Sequence, residues 1–153
     1  MIIVSACLCG INCKYDGGNN LDERVLKLLK EGKAMLVCPE QLGGQETPRV
    51  PREIINGNGL DVLEGRARIL GAELNNDVTS KFIKGAYETY KIAEAVGASI
   101  AILKARSPSC GVSKIYDGSF SGTLRQGNGV TAELLLSRGI RVFTEENLDE
   151  LEL

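Results

Sequence analysis

The chain has 153 residues, 43% hydrophobic and 25% charged, with a formal net charge of −2. That balance excludes disordered and collagen-like chains, gives no general basic footprint for nucleic acid, and contains no apolar run near the ~20 residues of a membrane span. Histidine is absent while cysteine occurs five times, which removes Ser–His and Cys–His nucleophile pairs and His-ligated metal sites but leaves thiols for metal or redox chemistry.

The length suits one domain over residues 1–153. Met1-Ile2-Ile3-Val4 lacks the basic lead of a signal peptide, so a cytoplasmic protein is expected, and there an odd cysteine count argues against a disulfide framework. Ile2 to Ala6 is a short β-branched run suited to a buried strand. A Gly- and Asn-rich loop follows to Asn20. Leu21, Val25, Leu28 and Leu29 then share a helical face over 21–31, with Asn20 as cap and Gly32 as stop. Met35-Leu36-Val37 reads as the second strand, ended by Pro39.

From Glu40 to Asn76 the pattern is irregular, with short strands suggested at 61–64 and 67–70. A long helix is predicted over 77–96, with Val78, Phe82, Ala86, Thr89, Ala93 and Val96 on one face and Gly97 at its end. Ser99 to Leu103 is a third buried strand. A second Gly-rich loop spans 106–129, then come a helix at 130–138, a strand at 140–143 and a last helix after Thr144. Strands alternating with helices predict an α/β fold: one Rossmann-like domain with a mostly parallel sheet and helices on both faces.

On this map Cys7 follows the first strand, Cys38 ends the second and Cys110 lies in the loop after the third. All three fall at the carboxyl edge of the sheet, where open α/β folds bind ligands. An all-sulfur donor set selects zinc, copper(I) or an iron–sulfur cluster. Cys7-x-Cys9-x₃-Cys13 is not a zinc-ribbon spacing, whereas a cubane held by three cysteines leaves one iron open to substrate. Against this stands the ordinary behaviour of free cysteine as a small buried hydrophobe. Cys9 is the expected bystander, and Cys13 is left open as an additional ligand.

Glu40, two residues past Cys38, is a candidate general base in a chain without histidine; its alternative role is an ion pair with Arg49 or Arg52, which Glu53 follows. Ser107 and Ser109 flank the third cysteine and either orient a small polar group or form a turn. Lys104 and Arg106 add positive charge nearby, and Asp16 caps or turns the first loop.

These segments resemble the thiouracil desulfidase family. The resemblance rests on Ser5-Ala6-Cys7-Leu8-Cys9-Gly10 with Cys13-Lys14-Tyr15-Asp16-Gly17, on Cys38-Pro39-Glu40 with Thr47-Pro48-Arg49-Val50-Pro51, and on Lys104-Ala105-Arg106-Ser107-Pro108-Ser109-Cys110-Gly111. It implies non-redox removal of sulfur from 2-thiouracil, giving uracil and hydrogen sulfide, at a [4Fe-4S] cluster held by Cys7, Cys38 and Cys110. It also implies Glu40 as the acid/base carboxylate and Ser107 or Ser109 as the substrate-side hydroxyl. The family's first motif usually reads Cys-Leu-Leu-Gly, and Cys9 departs from it. The implied partner is a small thiolated base; the alternatives are cluster-dependent sulfur transfer or desulfuration of a thiolated nucleoside or tRNA base, and a non-catalytic Rossmann-like binding module with redox-active thiols.

Overall fold

The computed structural model describes residues 1–152. In chain order the elements are β1 (Ile2–Ser5), α1 (Glu23–Lys30), β2 (Ala34–Val37), α2 (Pro39–Leu42), β3 (Glu53–Ile55), α3 (Gly59–Leu63) and β4 (Arg68–Leu70). They continue as α4 (Thr79–Ala95), β5 (Ile100–Leu103), β6 (Lys114–Tyr116), β7 (Leu124–Gln126), α5 (Val130–Ser137) and β8 (Arg141–Thr144). The four strands β2, β1, β5 and β8 lie side by side in that order, all parallel. The chain steps outward from β1 to β2 and then crosses back to place β5 on the other edge of β1. Strand order therefore reverses between β1 and β5, and a crevice opens there at the carboxyl ends.

Period-two alternation assigns the faces. Ile2 and Val4 pack against Val25 and Leu28 of α1. Ile3, Ala101 and Leu103 pack on the opposite side against Ala93 of α4 and Ala132 and Leu135 of α5. Burying each large aliphatic side chain contributes about 1.5–3 kcal/mol, so both helical layers are held by the sheet. This is the expected α/β arrangement.

Several local expectations are corrected. Helix α1 starts at Glu23, capped by the Asp22 carboxylate accepting from the Arg24 amide, not by Asn20. The segment before it is pinned to the 3-10 turn at Ala6–Cys9, through the Asn20 amide to the Cys7 carbonyl (2.9 Å) and the Asp22 amide to the Leu8 carbonyl (2.8 Å). Residues 61–63 are helical and Glu64 is the C-cap, not a strand, because Asn58 and Asp61 form a reciprocal capping box at the start of α3. The strand expected at 67–70 is present as β4, paired antiparallel with β3. The Gly-rich loop contains the β6–β7 hairpin. The last expected helix is only a 3-10 turn at Leu148–Glu150. There the Asn147 carboxamide accepts from the Thr144 amide, a local bond that competes with helix continuation.

Pro39 ends β2 and also opens α2, where its missing N–H is harmless. Helix α2 crosses α4 at a pair of glycines. A Cβ on Gly85 would lie 1.9 Å from the Pro39 carbonyl oxygen, and one on Gly43 2.0 Å from that of Lys81. Gly85→Ala is therefore expected to push α2 off α4 and cost about 1–3 kcal/mol. A thermal unfolding midpoint equal to wild type would contradict this contact.

Candidate active site

Four of the five cysteines reach one cavity of about 520 Å³ at the strand-order reversal, a volume typical of small-molecule sites (~300–1,000 Å³). Cys7 arrives from the turn after β1, Cys38 from the N-cap of α2, Cys110 from the loop after β5, and Cys13 from the first Gly-rich loop. Cys9 is buried and does not line the cavity. All five are free thiols.

The thiols are not equivalent. Cys13 donates toward both Cys7 and Cys38, so its own proton is held and its pKa is driven up. The Cys13 thiol, helped by Asn20 and Lys104, draws the Cys7 pKa below its ordinary value in spite of burial. The same thiol, with the Gln41 amide at the start of α2 and the Arg49 charge, brings Cys38 down to about 7. Cys110 is pushed up to about 12 by burial, although the Ser5 hydroxyl lies 3.6 Å from its sulfur. The Ser5 oxygen also accepts the Lys104 amide at 3.0 Å, which ties the ends of β1 and β5 together. Ser5 was not singled out from sequence; the available signal was a hydroxyl ending an otherwise apolar strand.

Glu40 lines the cavity and pairs with Arg49, whose Nε lies 2.7 Å from Oε2. Arg49 rather than Arg52 is thus the partner. It is braced in turn by the Thr47 hydroxyl (2.8 Å) and the Cys13 carbonyl (2.8 Å), so the carboxylate is oriented with its other oxygen unspent. The two serines separate. Ser107 lines the cavity and its oxygen accepts the Cys110 amide at 2.7 Å, leaving its proton free to donate. Ser109 is buried and bonded to Thr131 of α5 at 2.9 Å, outside the cavity lining. Lys104 reaches the cavity and is paired with Glu145. Arg106 pairs with Glu146 away from the lining, and Asp16 closes its own loop by accepting the Gly18 amide.

The outer wall comes from segments whose role the sequence did not reveal. Val50 and Pro51 contribute apolar surface, and the hairpin supplies Tyr116 and Phe120. Its tip lies on β3 because Gly118, at φ +93°, leaves no Cβ to strike the Ile54 carbonyl 2.6 Å away. Gly118→Ala is expected to lift this wall and raise KM for any ring-shaped ligand more than it lowers kcat; an unchanged KM would refute the role given to the hairpin.

Among the described residues no group of three cysteine or acidic side chains is arranged to hold a metal ion. The thiols surround a space instead, a donor set suited to a soft inorganic group with a volume of its own. Nor is any described helix long and apolar enough to cross a membrane.

Known proteins are similar to this chain in sequence and fold. The chain is 49% identical over 151 residues to an uncharacterized protein of Bacillus subtilis (strain 168), YbbK, covering 99% of each. A solved structure of TudS, a [4Fe-4S]-dependent thiouracil desulfidase, superimposes with a TM-score of 0.85 at 39% identity, covering 98% of this chain and 93% of that one. The family model for 2-thiouracil desulfurase matches residues 2–147, a span that takes in every cavity-lining cysteine. With sequence, fold and family model coinciding over nearly its whole length, the chain belongs to the 2-thiouracil desulfurase family.

Proposed function

We propose that this chain desulfurates 2-thiouracil or a closely related thiolated base by hydrolysis, using a [4Fe-4S] cluster held by Cys7, Cys38 and Cys110. The observation that carries the proposal is that thiols from three separate strand ends and the Glu40 carboxylate line one cavity. Soft thiolates are the donors such clusters require. When bound, the cluster would supply an iron without a cysteine ligand, which draws electron density from a thiocarbonyl.

The protein's own groups account for the remaining steps. Glu40, fixed by Arg49, takes a proton from the water that attacks the thiocarbonyl carbon. The Ser107 hydroxyl donates to the oxygen that is added, and Cys110 holds Ser107 in place through its amide. Cleavage of the C–S bond restores a carbonyl and releases hydrogen sulfide. Water supplies the oxygen and both hydrogens, and no electrons are exchanged. The apolar outer wall limits entry to small planar molecules.

Anaerobic purification tests this reading. A brown protein with about four irons and four acid-labile sulfides per chain is expected, together with sulfide release from 2-thiouracil. Turnover of 2-thiouridine but not the free base would move the substrate to the nucleoside. A protein that stays colourless after anaerobic reconstitution would overturn the proposal.

A further inference from the structure

We propose that Glu53 reads a ring N–H of the substrate and thereby sets which thiolated bases are accepted, an inference that rests on the desulfidase reading above. Glu53 begins β3, lines the cavity and is buried. Its two carboxylate oxygens have different surroundings. Oε1 accepts from the Gly118 amide at 2.9 Å and the Phe120 amide at 3.2 Å, holding the hairpin tip over the cavity. Oε2 receives no hydrogen bond among the described residues and is not a sealed, unsatisfied atom. Of the cationic groups around the cavity, Lys14 pairs with Asp16, Arg49 with Glu40 and Lys104 with Glu145. Arg52 donates to the Val50 carbonyl at 2.8 Å and makes no ion pair with Glu53 among the described residues. An open carboxylate oxygen on a residue that is itself buried in the cavity wall is left to water or to a ligand that donates to it. A ligand that displaces the water without donating loses that bond.

The ligand chemistry follows. The free oxygen selects a donor, and the aromatic and apolar wall of Phe120, Tyr116 and Pro51 selects a flat ring. A thiolactam ring presents an N–H beside its thiocarbonyl and meets both demands. Blocking that nitrogen leaves Oε2 unpaired in a partly desolvated site, the situation in which enzymes discriminate most strongly.

Glu53→Gln isolates the free oxygen. The amides of Gly118 and Phe120 require an acceptor at the Oε1 position, so the glutamine must turn its NH₂ toward the cavity, replacing acceptor by donor while keeping the hairpin clamp. Sulfide release is measured for 2-thiouracil and its two singly N-methylated derivatives, with iron content recorded for each preparation. Wild type is expected to prefer 2-thiouracil over one of the derivatives by about tenfold to a hundredfold in kcat/KM. In the variant that ratio is expected to fall to within about threefold, because its rate on 2-thiouracil drops while the methylated compound has no bond to lose. Calorimetric binding of uracil and the N-methyluracils, read in parallel, tests the same contact without turnover.

An unchanged ratio in both measurements, wild-type rates in the variant, or loss of its iron would each overturn the assignment. No sulfide release by wild type from any of the three compounds would defeat the desulfidase reading instead; the binding ratios would then decide the Glu53 contact alone.

Discussion

Replacing Cys7, Cys38 or Cys110 with serine is expected to strip most of the iron and acid-labile sulfide from the anaerobically purified protein, with sulfide release lost in proportion. A serine hydroxyl is a hard donor that stays protonated at neutral pH, whereas cluster iron requires thiolates. The three positions come from separate strand ends, so each supplies a different side of the cavity, and Cys13 is the one other thiol of the lining. Cys9→Ser is the matched control, since that side chain is buried in the α1-side core away from the cavity. Cys13→Ser distinguishes a further case. Its hydroxyl still donates toward positions 7 and 38, so iron should be retained. If Cys13→Ser empties the site while Cys110→Ser does not, the third ligand is Cys13; equal loss in all five variants would defeat the ligand set altogether.

Glu40→Gln is expected to leave iron content and colour at wild-type values while lowering kcat by about 10²–10⁴, the usual contribution of a positioned general base. Glutamine has nearly the same shape and can still accept from Arg49, so orientation survives while the proton acceptor is lost. The pairing with Arg49 makes this experiment necessary. An ion pair serving only to brace the loop at residues 46–51 would give a variant altered in stability and unaltered in rate. Persistent turnover at the wild-type rate would remove Glu40 from the chemistry.

The residues legible in advance were those whose position follows from strand ends. Cys7, Cys38 and Cys110 sit immediately after or a few residues beyond β1, β2 and β5, and parallel strands must present those ends at one edge. Glu40 followed from its spacing to Cys38. The two serines were not separable, because residues 107 and 109 lie in a single turn whose orientation depends on packing against α5. There Thr131 engages Ser109, and the Cys110 amide turns to Ser107. Asn20 looked like a helix cap, the common use of asparagine before an amphipathic run. The cavity claimed it because backbone bonds to the 3-10 turn at Ala6–Cys9 delay α1 to Glu23.

Local composition and periodicity sufficed for the alternation of strands and helices, for the apolar faces, and for the exclusion of histidine chemistry, since each depends on residue type and spacing along a few turns. Contacts between segments far apart in the chain did not have that property. The Gly43–Gly85 crossing sets the depth of Cys38 and Glu40. The seating of the hairpin tip on β3 through Gly118 and Glu53 builds the outer wall. The choice of Arg49 over Arg52 orients the carboxylate. Each of these depends on steric fit and hydrogen-bond geometry between surfaces that meet only after folding, and one-dimensional spacing carries no information about such a fit.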